Sequence, residues 1–455
     1  MEILHKKFIL YLIAAFLISY RLSKSTDDRI VSFIFSYYIL TAPILSIQTF
    51  MIHIPGLSID LQANRILLII LIIMLIFESM SPEEGRRFVV DDKRPMFEVF
   101  SGLFLGAVVL SLVVNYSSIQ QKQRLITVPL EILLFILVYY VAKKRVTPLV
   151  FEALIKALVV LLLFSAITAI VQVFDPYFLK TGRPTAAFDG IWRSSGIFHD
   201  EYELGFLTNF GMVLFLIRYK RRCLLYFGFP LLFAALITTF HRLDWLICVA
   251  CYCLYIFLTK GRKAFFIIIA CVCGLYVISQ VVVPYCEGNQ RFKSFEQNRL
   301  YYDTVSERFL QYQLAVKFIA THFWGLGGYD TREYYDVIEE HKMIRTKGNP
   351  VVVHDGYLAV GVQYGGLAAL AFSCMLGSML AYFIKRSDLC DGRTLCPLFI
   401  VFIWILSNIS NDMSTFNSYV VVLVALIAGS LVSIRNSWSS ADAFEAAAIP
   451  GPQCE

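Results

Sequence analysis

Charge is what this chain has least of: Asp, Glu, Lys and Arg make up 16% of its 455 residues, against 58% hydrophobic residues. That ratio excludes the two or three water-soluble domains that length alone suggests, and with them the secreted, collagenous and disordered classes. Nucleotide-binding signatures are missing as well. No G-x-x-x-x-G-K-[ST] occurs, and no loop expected on the cytoplasmic side is long enough for a sugar-nucleotide or ATP site, so a donor substrate has to arrive within the membrane. The seven histidines never stand at i, i+4 spacing, which argues against a metal site, and no cofactor is expected. No internal repeat and no matching pair of interrupted apolar segments is visible, which disfavours a transporter.

What the chain does have is long apolar runs, at 66–77, 149–174 and 357–384 among others. A bilayer core of about 30 Å needs roughly 20 apolar residues per helix. The expected fold is therefore an all-α polytopic membrane protein of about 12 to 14 transmembrane helices. Spans are placed near 8–20, 30–52, 63–77, 96–114, 124–142, 149–174, 200–217, 223–240, 243–259, 264–284, 355–384, 395–410 and 416–434. The net charge of +6 comes from short basic clusters between these runs, at 86–94, 143–145, 218–222, 260–263 and 385–393. Placing all five in the cytoplasm satisfies the positive-inside bias, and their scatter excludes nucleic acid as a partner in favour of the lipid bilayer. Counting the first run puts the N-terminus outside; that run lacks a following small-residue cleavage site and is not read as a signal peptide. Most of the eleven cysteines fall within or at the ends of apolar runs, where they serve as small packing residues.

The organisation expected is transmembrane helices over 1–284 with an outer loop at 175–199, one long external loop at 285–354, C-terminal transmembrane helices over 355–434, and a disordered cytoplasmic tail at 435–455. Within the long loop, Phe309, Leu310, Leu314, Phe318 and Ile319 recur at helical spacing with Arg308, Gln311 and Lys317 between them. This pattern predicts an amphipathic helix over 307–324, lying on or near the outer membrane surface.

Several outward-facing residues carry chemistry. Arg242 stands in a short break between two apolar runs, either snorkelling to headgroups or pairing with Asp244, or serving a ligand. Arg193 opens Arg-Ser-Ser-Gly-Ile-Phe-His-Asp, directly before a span. Two arginines in one outer cavity suit a pyrophosphate, because a guanidinium binds phosphate oxygens bidentately and keeps its charge. His354 lies where the long loop re-enters the membrane and titrates near neutral pH, as a general base must; Asp355 either orients it or caps the following helix. Asp200, Glu201 and Glu203 form an acidic cluster at the start of a span, where a helix dipole favours acids in any case. Glu152 and Lys156, one turn apart, are expected to pair.

These signals occur in an order that resembles the O-antigen ligase and O-antigen polymerase superfamily of bacterial membrane glycosyltransferases. The resemblance runs from about Ile54 to Ile434. It begins with Ile-Pro-Gly-Leu-Ser at 54–58 and continues with RSSGIFHDEYELG at 193–205, similar to the family's R-x-x-G-x-F segment. Arg242 matches a Ser-Arg pair between two spans. Glu307-Arg308 followed by Gly325-Leu326-Gly327-Gly328 resembles an arginine, an amphipathic helix and P-x-x-G-x-G. His354-Asp355-Gly356-Tyr357-Leu358 with Gly365 matches H-N-x-Y-L and E-x-G. The chain departs from the pattern in His241 for Ser, Asp355 for Asn, Gln363 for Glu, Tyr202 for Asn, and in lacking the Pro before Gly325.

The resemblance implies a GT-C-type fold in a bacterial inner membrane, with its active site facing the periplasm. It implies transfer of a glycan from undecaprenyl pyrophosphate to a hydroxyl of lipid A-core or a similar glycolipid or glycan acceptor. Carried over, Arg193 and Arg242 bind the donor pyrophosphate, Arg308 supports it or the acceptor, and His354 is the catalytic base, with Asp355, Tyr357 and Asp200 as secondary candidates. Two cations and an imidazole make the reaction metal-independent, and no carboxylate nucleophile stands among the matched motifs, so inversion by direct displacement is expected. The alternatives are a repeat-unit polymerase with the same donor site and, in a different class, a lipid-linked glycan transporter.

Overall fold

In the computed structural model the described residues are 2–45, 50–54, 57–61, 63–80, 95–119, 123–179, 185–188, 191–198, 200–218, 223–260, 300–328, 353, 355–386, 392–409 and 419–445. The expected span at 264–284 and His354 lie outside them.

The apolar runs form helices, since a backbone taken out of water must satisfy its own hydrogen bonds. In chain order these are α1 (Glu2–Ser23), α2 (Arg29–Leu45), α3 (Ala63–Met80), α4 (Met96–Val114), α5 (Arg124–Arg145), α6 (Pro148–Gln172), α7 (Glu201–Arg218), α8 (Cys223–Thr238), α9 (Arg242–Lys260), α10 (Leu300–Thr321), α11 (Gly356–Tyr364), α12 (Gly366–Arg386), α13 (Gly392–Ser407) and α14 (Tyr419–Glu445). Among the described residues, four helices are long and apolar enough to cross a membrane: α4, α5, α6 and α12. Shorter apolar stretches occupy α1, α2, α3, α8, α9, α13 and α14. The protein is thus a multi-pass helical membrane protein. Helix α6, apolar on every side apart from Glu152 and Lys156 near its start, lies in the middle, packed on α1, α2, α7 and α8; Thr147 caps it by accepting from Val150 N, with Pro148 in the first turn.

Two short antiparallel hairpins interrupt the all-α expectation. Strand β1 (Phe50–Ile54) pairs with β2 (Leu57–Leu61), and β3 (Thr185–Phe188) pairs with β4 (Ile191–Arg193). The first lies where the span at 30–52 was expected to continue; α2 ends at Leu45 instead, and of the Ile-Pro-Gly-Leu-Ser motif Ile54 ends β1 while Leu57 and Ser58 begin β2.

The expected span at 355–384 is two helices. Gly365 separates α11 from α12 at φ 91°, and the reason is a second chain segment laid against it. Leu326 N donates to Val362 O at 2.9 Å and Gly327 N to Gln363 O at 2.8 Å, taking carbonyls that a continuous helix would use itself. Contact is backbone on backbone. A Cβ on Gly365 would stand 2.2 Å from Phe323 O, and one on Gly325 2.4 Å from Gly365 N.

Helix α10 covers the predicted amphipathic stretch from residue 307 to Thr321, where it ends three residues short of the expected bound, and it starts earlier, at Leu300. Its inner face joins Leu314, Ala315 and Phe318 to Leu326, Val353, Ala359 and Val362 in a small core of its own, while Phe309 and Val316 are exposed. At the C-terminal end, α14 runs on to Glu445, into the segment expected to be disordered; no Gly or Pro interrupts 435–445.

Ion pairs fix which turns share a face. Arg145, in the basic end of α5, holds Asp28 Oδ2 at 2.7–2.8 Å, and Thr147 donates to Asp27 at 2.6 Å. The α1–α2 turn therefore lies beside the Lys-Lys-Arg cluster, whose cations also suit a helix C-terminus. On the same face, Glu98 at the start of α4 accepts from Tyr139 and Lys143.

Candidate functional site

The site is built at the opposite face, where α7 and α9 begin. Arg193 closes β4, and the Ser-Ser-Gly-Ile-Phe that follows is clamped against α6. The Gln172 side chain accepts from Ser195 N at 3.1 Å and Gly196 N at 2.9 Å, and donates to Gly196 O at 2.7 Å and Phe178 O at 2.9 Å. Gly196 adopts φ 60° with Ser165 against it, so that a Cβ there would stand 2.2 Å from the Ser165 hydroxyl. Ser194 N donates to Thr238 O, which ties the segment to α8, and Ile197 and Phe198 are fully buried. The R-x-x-G-x-F pattern thus has a physical basis: one arginine on a loop made rigid by a glycine, a buried pair of side chains and an amide from a neighbouring helix.

Asp200 caps α7 by accepting from Glu203 N at 2.9 Å, and Glu201 Oε1 takes Arg193 Nη1 at 3.2 Å. The Arg193 side chain keeps 30% of its surface exposed, so the ion pair steadies the guanidinium without enclosing it.

The α8–α9 turn carries the second set. Phe240 sits at φ 51°, His241 N donates to the Thr239 hydroxyl, and Arg242 opens α9; the Arg242 side chain lies outside the described atoms. His241 Nδ1 and Asp244 Oδ2 are 2.9 Å apart and approach each other obliquely, off a hydrogen-bond axis. The Tyr202 ring stands edge-on to the imidazole, at 4.6 Å and 87°. Gly205 leaves room for the Asp244 carboxylate, and Asn209 donates to Asp244 O at 3.0 Å.

Tyr202 is the meeting point. Besides touching His241, it lies within electrostatic reach of Arg193, Glu201 and Asp200 and also of Arg308 from α10. Arg308 in turn shares Tyr312 with Asp355: burial pushes the Tyr312 phenol up, Asp355 adds to this and Arg308 opposes it. Asp355 caps α11, accepting from Leu358 N at 2.8 Å; burial pushes its carboxyl up, against the lowering by backbone hydrogen bonds from Leu358 and Tyr357. On either side of His354, Val353 is buried in the small core and Asp355 makes that cap. Tyr357 points elsewhere, donating to Ile405 O at 3.2 Å, as an anchor to α13. Gly356 N donates to Asn408 O, with the Asn408 side chain where a Cβ would go.

Arg193, Asp200, Arg308 and the His241-Arg242 turn therefore gather about one tyrosine, and Asp355 is linked to them through Tyr312. In the sequence Tyr202 stands out only as a departure from the family pattern and His241 only as a replacement, and Gln172 is not distinguished. A polar amide ending a long apolar run was the available signal. Among the described residues no three His, Cys, Asp or Glu side chains are grouped to hold a metal ion. An apolar cavity of about 450 Å³ opens between α4 and α5, lined by Val109, Leu112, Val113, Tyr116, Leu125 and Pro129, none of them in the arginine group.

No curated protein matches the chain. Residues 227–373, from α8 into α12, match the family model described as O-antigen ligase. That stretch holds the His241-Arg242 turn, Arg308, the Gly325–Gly328 turn and the His354-Asp355-Gly356-Tyr357 segment, while Arg193 precedes it. The family that this match supports for the chain is the O-antigen ligase superfamily.

Proposed function

We propose that the protein is a ligase-type membrane glycosyltransferase, working at the periplasmic face of a bacterial inner membrane. It takes a glycan from undecaprenyl pyrophosphate and passes it to a hydroxyl of lipid A-core or a similar acceptor. The observation that carries this reading is the gathering of Arg193, Arg308 and the His241-Arg242 turn about Tyr202 on the face away from the basic clusters. Guanidinium groups held this way answer the main need of the reaction, because a pyrophosphate already leaves well and asks only for charge stabilisation.

In the step itself the acceptor oxygen attacks the anomeric carbon while the bond from that carbon to the pyrophosphate oxygen breaks. The bonding pair goes to the pyrophosphate, stabilised by Arg193, Arg242 and Arg308. The acceptor proton passes to His354, the proposed base, and the configuration inverts. No metal takes part in this scheme.

Purified protein given a lipid-linked oligosaccharide and a lipid A-core acceptor tests it. Release of undecaprenyl pyrophosphate with glycosylated acceptor is the expected result. Chain growth on the lipid-linked glycan itself would make the protein a polymerase. Movement of intact donor across a bilayer, without release, would make it a transporter and end the transferase reading.

A further inference from the structure

The residue before Arg242 carries a feature that the family pattern does not ask for. Where the pattern has Ser, this chain has His241, and three turns of structure are arranged about its ring. Asp244 lies 2.9 Å from Nδ1 with only 2% of its side chain exposed. A carboxylate so enclosed is costly unless a cation neutralises it, and among the described residues His241, once protonated, is the side chain placed to do so. Tyr202 holds the ring edge-on, Thr239 takes the His241 backbone N–H, and Asn209 holds the backbone of Asp244. Gly205 is a further sign of design around the pair: any Cβ there would fall on the Asp244 carboxylate. Among the described residues nothing hydrogen-bonds to the other ring nitrogen, Nε2.

We propose that His241 works as an imidazolium in the donor site, Asp244 supplying the countercharge and orienting the ring, so that Nε2–H donates a hydrogen bond to the pyrophosphate. This rests on the transferase reading for its role in turnover. During transfer the proton stays on His241: the carbon–oxygen bond breaks, its electron pair remains on the pyrophosphate oxygen, and the imidazolium strengthens its hydrogen bond to that oxygen as charge develops. His241 is then a cationic ligand of the leaving group, distinct from the base, and Asp244 is a positioning residue that acts through it.

The groups facing the ring are Asp244 on α9, Tyr202 and Glu201 on α7 with Asp200 before it, and, through Glu201 and Tyr202, Arg193 and Arg308. The outer halves of α6, α8 and α13 carry no ionisable residue, and Tyr419 of α14 lies by Glu203. His354, the proposed base, and the ligand carry pH responses of their own, so the signature of His241 is the difference between the parent and H241Q.

The test measures binding of geranylgeranyl pyrophosphate to the purified full chain at pH 6 and pH 8.5, beside turnover of lipid-linked glycan over the same range. In the parent, binding is expected to be about 10-fold tighter at the lower pH than in H241Q, with the two proteins converging at the higher pH. Turnover should show a falling alkaline limb that H241Q removes and D244N moves to lower pH, with kcat reduced more than KM is raised. H241S, the residue of the family pattern, should bind as H241Q does. Equal pH response in parent and H241Q, or no binding of the probe by the parent, overturns the proposal. If the pH-dependent binding is seen but no glycan is transferred, the transferase reading fails while His241 keeps its role as an anion ligand.

Discussion

Replacing Gln172 by Leu removes one side chain of similar size and four hydrogen bonds, all to the loop that carries Arg193 or to Phe178 beside it. Ser195 N and Gly196 N lose the acceptor that holds them, in a segment from which water is excluded. A buried donor left unsatisfied costs about 1–3 kcal/mol, so the two together cost about 2–6 kcal/mol, and the two carbonyls add less. Even about 2 kcal/mol raises the population of the detached loop roughly 30-fold. The assay is amide hydrogen exchange of the 193–198 peptide in detergent, which reports local opening directly. Exchange should speed up by at least this factor in Q172L, while peptides from α4 and α5 stay unchanged. Q172E, which keeps the acceptor and loses the donor, should fall between. Unaltered exchange in Q172L would mean that Ile197, Phe198 and the Ser194–Thr238 contact hold the loop unaided, and the clamp would lose its place in positioning Arg193.

Arg193→Ala and Arg308→Ala should each slow glycan transfer by about 10- to 100-fold, the worth of a hydrogen-bonded charge, with insertion into the membrane unchanged; full rates in both variants would remove them from the site. Gly365→Ala forces a Cβ onto Phe323 O at φ 91° and ψ 169°, a conformation that alone costs a non-glycine residue about 1–3 kcal/mol, so the melting midpoint in detergent should fall; an unchanged midpoint would show that the two segments part readily. Because Asp28 pairs with Arg145, the N-terminus of α1 is expected on the periplasmic side, where a phosphatase fused to it is active and a fluorescent reporter dark; the reverse pattern would sink that orientation. Chelators should leave turnover unaltered, measured as polyprenyl pyrophosphate released per minute.

Legibility differed by kind of feature. Long apolar runs such as α6 were plain in the sequence, because burial and helical length need little else. The hairpin at 50–61 was not: Phe50–Ile54 is as apolar as the helix before it, and only the Pro-Gly pair spoke for a turn. The break at Gly365 was hidden for a different reason, since its cause is the glycine turn at 325–328, remote in sequence and pressed against it in space. Of the site, Arg193, Asp200 and Asp355 stand out as charges or their neighbours at span boundaries, and Arg308 only through the family resemblance. Tyr202, Asp244 and Gln172 matter through whom they touch, and pairing across helices leaves no periodic trace.

The joint between the 325–328 turn and the end of α11 also has a bearing on how such proteins can be recombined. Two strings of main-chain atoms in contact, with glycine on both sides, tolerate change only when both sides change together. An engineer who wished to transplant the external segment from a relative, to retarget the acceptor, should set the splice points upstream of residue 300 and downstream of residue 366, carrying the whole joint as one cassette. Cutting between its halves would combine two surfaces never selected to fit.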